Sequence, residues 1–297
     1  MGYEPTVFNQ LFNFIPRHVF DKSVRRLAAD RYTKRFSAWQ QFLLLLYAQA
    51  SGKQTLREIT GGLQVNSSRL YHLGLKPIAR STIADGLARR NSILFETLFY
   101  ELVRRTAGQA PKHPFRFKHP LYSIDATTID LCLSVFDWAK FRTQKGAIKL
   151  HCQLDHSGQI PSFAHISDGK TSDIKAAKEF FRIMPDSIYC FDKGYIDFKW
   201  LYSIEKQEAF FVTRAKCNLD FRVTGQHGAG GQKGVISDQI IELNGCNTAL
   251  KYPVPLRMIT YQDETTGKIY QFITNHFRLA ASTVALRASF EKSEVLA

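Results

Sequence analysis

Paired cysteines and long apolar runs are what this sequence lacks. Its five cysteines (Cys132, Cys152, Cys190, Cys217 and Cys246) are scattered, and none forms a CxxC pair. A zinc knuckle and a dithiol redox motif are therefore excluded, and reduced thiols in a cytoplasm are the simplest reading. The longest uninterrupted apolar run, Phe42 to Ala48, is far too short to span a bilayer and reads as a buried helix. No basic region followed by an apolar one stands at the N-terminus, so no signal peptide is expected. The glycine-rich stretch from Gly225 to Gly234 does not follow a βα turn in the GxGxxG pattern, so it reads as a hairpin loop and not a phosphate cradle.

Acidic residues are scarce in one half only. Residues 1–118 hold 19 Lys and Arg against 7 Asp and Glu, whereas residues 119–297 hold 21 against 19. The net charge of +14 thus sits almost wholly in the first part of the chain. A basic half joined to a near-neutral half suggests a polyanion-binding module attached to something else. At 44% hydrophobic residues over 297 positions, the chain has enough apolar material for a real core in one large or two linked domains.

Residues 1–110 read as helical. Apolar residues recur at helical spacing in Val7, Leu11, Phe14 and Ile15, and again in Val19, Val24 and Leu27. Ser37 is placed to cap a helix through the leucine run, and a short helix from Leu56 to Leu63 is expected to end at Gly61-Gly62. In RSTIADGLARRN, Arg80 to Asn91, Ser81 reads as an N-cap, Ile83 and Leu87 as inward-facing, and Arg80, Arg89 and Arg90 as exposed. A short capped helix with exposed arginines, preceded by another short helix, fits a helix-turn-helix whose second helix meets DNA. A linker over 111–120, rich in proline, marks a domain boundary.

Beyond it the pattern becomes α/β. LYSIDATTIDL, AIKLHCQL and QIPSFAHIS read as a three-stranded meander, followed by a helix from Asp173 to Met184 with Asp173 as its cap. Then come the strand SIYCFD, a helix from Asp197 to Lys206 and the strand AFFVTRA. Residues 217–277 read as an antiparallel β insertion. Asp125 lies in the first of these strands and Asp192 ends the fourth, in IYCFDKGY. Strands one and four are expected to be sheet neighbours, which brings both acids to one end of the sheet. Two carboxylates that close repel unless they share a cation, and such oxygen ligands suit Mg²⁺ or Mn²⁺. Ions held this way activate water or a 3′-hydroxyl in phosphodiester chemistry. Asp130, Asp137, Asp155 and Asp168 read as turn or strand-end carboxylates.

The segments YSIDATTIDLCLS, DWAKFRTQKGAIKLH, DGKTSD, FDKGYIDF, FFVTRAK and TNHF, after the helical start, resemble bacterial insertion-sequence transposases of the DDE class. The group in question carries a Y-x2-R-x3-E-x6-K signature. The resemblance covers almost the whole chain and matches Asp125 and Asp192 to the first two catalytic acids. It implies a helical DNA-binding domain, an RNase H-like catalytic domain over 121–297, a divalent metal, and cut-and-paste movement of terminal inverted repeats. It also implies a homodimer on double-stranded DNA, target DNA as a second substrate, a bacterial cytoplasmic (nucleoid-associated) location and no membrane contact. Lys140, Arg142, Lys145 and Lys149 are implied to lie near the DNA backbone.

The resemblance implies a third acid on a helix after the β insertion. The chain ends NHFRLAASTVALRASFEKSEVLA, without the signature. Glu291 falls at the R-x3-E spacing from Arg287, and Glu294 falls on the acid in a second register; neither alignment places the Tyr and Lys. The expectation is that the helix is missing or altered from about residue 286, leaving apolar sheet surface uncovered. Three functions follow: an active transposase, a remnant that binds DNA without cutting, and a helix-turn-helix regulator with an unrelated α/β domain, the last giving no reason for DKGY.

Overall fold

The computed structural model describes residues 7–107, 109, 111, 118–131, 140–142, 145–228 and 233–290. Glu291, Glu294 and Asp137 lie outside these residues. So do the side chains of Asp130, Lys140, Arg142 and Lys145 and the middle of the glycine-rich stretch. The chain divides into two compact units, Met1–Gln109 and Ala110–Ala297.

The first unit is helical: α1 (Val7–Phe12), α2 (Arg17–Arg26), α3 (Ala38–Ala50), α4 (Leu56–Val65), the single turn α5 (Ser67–Leu70), α6 (Arg80–Arg89) and α7 (Ile93–Ala107). Ser37 caps α3 as the sequence suggests: its side chain accepts from the Gln40 amide, and the Gln40 side chain answers on the Ser37 amide. The leucine run buries Leu43 and Leu44 against Ile59, Leu63, Leu75 and Ile83. The glycine pair does not end α4, which runs on to Val65. Gly62 serves packing instead, because a Cβ there would stand 2.7 Å from the Tyr47 hydroxyl.

The second unit is built on one ten-stranded sheet. The strands are β1 (Leu121–Leu131), β2 (Lys140–Arg142), β3 (Lys145–Asp155), β4 (Ile160–Asp168), β5 (Ile188–Phe191), β6 (Phe210–Arg214), β7 (Phe221–Gln226), β8 (Val235–Leu243), β9 (Leu256–Gln262) and β10 (Ile269–Thr274). Between them run α8 (Asp173–Phe180), α9 (Phe198–Lys206) and α10 (Cys246–Lys251), and α11 (Ala281–Phe290) closes the described chain. The order is β2-β3-β1-β5-β6-β10-β9-β8-β7, with β4 also paired to β3. β1, β3 and β4 pair antiparallel; β5 and β6 join β1 in parallel. The antiparallel insertion expected over 217–277 is β7 to β10, and it extends the same sheet through the β10–β6 pairing.

The sheet has two cores because strand side chains alternate. Ile124, Tyr189 and Phe191 pack with Trp200, Leu201 and Ala177 of α9 and α8. Leu121, Ile188 and Cys190 pack on the other face with Ala281, Val284 and Ala285 of α11, all three fully buried. These residues precede position 286; the side chains from 286 onward, on which the expectation of an uncovered face turns, lie outside the described residues. Helix α8 stops at Phe180 rather than Met184, and its cap is Ser172, with Asp173 the first helical residue. Among the described residues no helix is long and apolar enough to cross a membrane.

Candidate functional site

β1 and β5 decide where the two acids stand. Their parallel register pairs Leu121 with Ile188, Tyr122 with Tyr189, Ser123 with Cys190 and Ile124 with Phe191. Asp125 and Asp192 are the next residues on each strand. Parity puts both on the face that carries Leu121, Ile188 and Cys190, under α11. Neighbouring strands lie roughly 4.8 Å apart, so each carboxylate sits in the other's field. Burial raises the Asp125 carboxyl above its usual range; the Asp192 and Asp173 charges push the same way, and a hydrogen bond from the Ala126 amide opposes them. Burial and the Asp125 charge likewise raise the thiol of Cys152, its antiparallel register partner.

Asp192 is fixed by its own turn. It caps the 3-10 turn Lys193–Tyr195, and its Oδ1 accepts the Gly194 amide at 2.6 Å. A Cβ on Gly194 would stand 2.8 Å from that same oxygen, so glycine follows from the close approach of the carboxylate. The pair offers oxygen donors only, the donor type of Mg²⁺ and Mn²⁺. Among the described residues no three His, Cys, Asp or Glu side chains come together to hold a metal ion.

The start of α11 is set by a buried ion pair that periodicity and composition do not reveal. Arg257 on β9 is 1% exposed and donates to both carboxylate oxygens of Asp238 on β8, at 2.8 and 2.6 Å. Its remaining nitrogen donates to the carbonyls of His276 (3.1 Å) and Leu279 (2.6 Å), in the turn before α11. His276 Nδ1 in turn accepts the amides of Arg278 and Leu279. The Asn275 side chain holds the same turn to β6 through the Phe211 amide and the Ala209 carbonyl. A lone arginine within LRMITYQ is the signal that points to the pair, since a cation inside an apolar strand requires a buried partner.

Lys149 faces away from the acids. It donates to Asp173 at 2.9 Å, on the α8 side of the sheet. This side chain, expected near a DNA backbone, is committed to the helix start. His151 on the same face is buried and bonded to Ser167 at 2.9 Å. Asp155 and Asp168 serve turns, accepting the amides of Ser157 and Thr171.

In the first unit the expected DNA-facing residues separate. Arg80, Ser81 and Arg89 are exposed. Arg90 is not: its side chain is 6% exposed, it pairs with Asp30, and it donates to Gln41 Oε1 and to the Phe36 carbonyl. Ser81 does not cap α6, which begins at Arg80 after Ala79 without a side-chain cap, and Leu87 points outward at 39% exposure. No tight turn leads from α4 into α6, the helix expected to meet DNA. Residues 66–79 separate α4 from α6 and contain α5 and the 3-10 turn Tyr71–Leu73.

Residues 116–284 match the family model described as "Transposase DDE domain", and residues 4–76 match a "Domain of unknown function (DUF4372)". The y4zB protein of Sinorhizobium fredii, which carries a provisional transposase designation, is 30% identical over 208 residues, 68% of this chain and 56% of that protein. A protein of Geobacillus stearothermophilus, designated the probable transposase for insertion sequence element IS5377, is 20% identical over 188 residues, 62% of this chain and 48% of that protein. The chain thus spans about half the length of each relative.

Proposed function

The chain belongs to the DDE transposases of bacterial insertion sequences, and from that premise we propose that it cleaves and transfers double-stranded DNA at terminal inverted repeats. Asp125 and Asp192 are the carboxylates that hold Mg²⁺ or Mn²⁺. The observation that carries this reading is their placement at the next register step of two parallel neighbours, on one face of the sheet. Such an ion supplies an activated water or 3′-hydroxyl and stabilises the leaving oxygen. The protein's own contribution is orientation: Gly194 and the 3-10 turn fix the Asp192 carboxylate, and the Ala126 amide fixes that of Asp125. Burial, with the Asp192 and Asp173 charges, disfavours the ionised Asp125 carboxyl, and a cation bound there would offset this. The strand order β4-β3-β1-β5-β6, three antiparallel and two parallel, supports an RNase H-like domain.

DNA contact is assigned to the basic first unit, with Arg80 and Arg89 exposed on α6, and to Lys140, Arg142 and Lys145 in and beside β2. A homodimer on DNA and a cytoplasmic, nucleoid-associated location complete the reading. A second reading, a protein that binds such DNA without cutting it, is favoured by one observation: no third acid joins the pair among the described residues. Incubation with inverted-repeat DNA and Mn²⁺ separates the two. Cleavage that disappears in Asp192→Asn supports the nuclease; salt-sensitive binding without any cleavage supports the second reading; neither binding nor cleavage sinks both.

A further inference from the structure

The segment RYTKR, Arg31 to Arg35, joins α2 to α3 and is exposed at all five positions. Two adjoining clefts, of about 560 and 600 Å³, share Lys34 and Arg35 in their walls. The first is also lined by Arg31, Tyr32 and Arg89, the second by Lys76. Asp30 lines the second cleft but is engaged by Arg90, and Asp85 is the acid of the first. The balance is strongly positive.

Tyr32 is the unusual residue. Its backbone is left-handed, at φ 62, and its ring is 87% exposed beneath the Arg31 guanidinium, 4.9 Å from the ring centroid. A left-handed backbone is disfavoured for a non-glycine residue, and an aromatic ring in water contributes little to folding. Such a conformation persists where the surroundings hold it, and these do. Arg90 ties the segment down through the Phe36 carbonyl and Asp30, and Asp30 also accepts the Ala38 amide at 2.7 Å. Helix α6 packs against it so closely that a Cβ on Gly86 would stand 2.8 Å from the Phe36 ring.

We propose that this rigid segment and the adjoining side of α6 form the main DNA-backbone groove of the first unit: Arg31, Lys34, Arg35 and Arg89 take phosphates, and Tyr32 lays its ring against the sugar and base edges between them. Cations and an aromatic side by side are the composition of a nucleic-acid platform, because the two recognise different parts of one nucleotide. This proposal rests on the reading of the chain as a DNA-binding transposase and moves the principal contact from α6 alone to the loop beside it.

The test uses the full chain and a fluorescent mixed-sequence duplex of about 30 base pairs, titrated between about 50 and 200 mM NaCl. Lys34→Gln with Arg89→Gln is expected to reduce the slope of log K against log salt by roughly 1.8, about 0.9 for each phosphate no longer neutralised. Lys206→Gln with Lys268→Gln, equal in charge change but on the second unit, is expected to leave it unchanged. Tyr32→Ala is expected to weaken binding several-fold at constant slope, and Tyr32→Phe to retain it. All these side chains are exposed, so circular dichroism should match wild type. An unchanged slope in the groove variant, an equal drop in the control, or full affinity in Tyr32→Ala overturns the groove while DNA binding stands. Absence of salt-sensitive binding by the wild type overturns the DNA reading itself, and the groove with it.

Discussion

Asp125 and Asp192 each stand one step past a paired residue, Ile124 and Phe191, on two parallel strands that share a face under α11. Local structure uses one oxygen of each carboxylate: Asp125 accepts the Ala126 amide and Asp192 the Gly194 amide. Burial and the second charge disfavour the ionised form of Asp125, so the arrangement costs stability, which a cation bound there, as proposed, would return.

Removing one charge should therefore stabilise the protein. A carboxyl whose folded pKa is raised stabilises the fold fully below its unfolded pKa and loses that contribution as pH rises through the folded value. In metal-free buffer, Asp192→Asn is expected to melt higher than wild type at pH 7, with the advantage shrinking as pH falls toward about 4. Thermal melts across pH check this. A lower melting temperature at pH 7 would mean that the Asp192 carboxylate supports the fold.

Arg257 and Asp238 are expected to behave as a buried pair. Arg257→Ala leaves the buried Asp238 carboxylate to His227 at 3.5 Å, Asp238→Ala leaves the Arg257 guanidinium without its carboxylate, and either should cost about 3–5 kcal/mol in denaturant unfolding. The double variant Arg257→Met, Asp238→Leu should recover most of that loss, since packed apolar residues replace such pairs at little cost. It cannot restore the bonds to the His276 and Leu279 carbonyls. Amides of α11 should then exchange faster than those of β5 and β6 in the double variant. Uniform protection in all elements would show that the clamp does not position α11.

Much of this architecture is legible in the sequence, and the parts that are not share a cause. YSID and IYCFD give strands from composition, and Ser37 gives its cap from a partner three residues away. The parallel pairing that brings the acids together follows from the order of elements. Arg90 escapes such reading because its partners, Asp30, Phe36 and Gln41, lie 49 to 60 residues away. Leu87 and the start of α6 escape it for a related reason: an isolated helical pattern says nothing about which neighbours arrive. Arg257 stands in an apolar strand, where its oddity is visible but its partner on β8 is not.

His276 makes acid sensitivity local. Burial, with the charges of His119 and Arg257, lowers its pKa to about 4. A histidine depressed in this way stabilises the fold above its unfolded value of about 6.5 and loses that contribution as pH falls toward 4. Wild-type melting temperature should decline across this window. His276→Asn, which keeps an acceptor for the two amides, should flatten the decline, and an identical pH profile in both proteins would assign it to other groups.

Arg89 and Arg90, adjacent in sequence, should separate by assay. Arg90→Ala removes bonds to a carbonyl, an amide oxygen and Asp30, and should destabilise the first unit by on the order of 2–3 kcal/mol. Arg89→Ala should leave unfolding within about 0.5 kcal/mol of wild type, as an exposed substitution does. Equal stability of the two variants would contradict the buried role of Arg90.

The most direct measurement is Mn²⁺ binding to the purified chain, followed by electron paramagnetic resonance and by calorimetry. Saturable binding is expected in the wild type and its loss in both Asp125→Asn and Asp192→Asn, while circular dichroism shows each variant folded. Binding that survives both substitutions, or a folded wild type that takes up no Mn²⁺, would contradict the assignment of this carboxylate pair as the metal site.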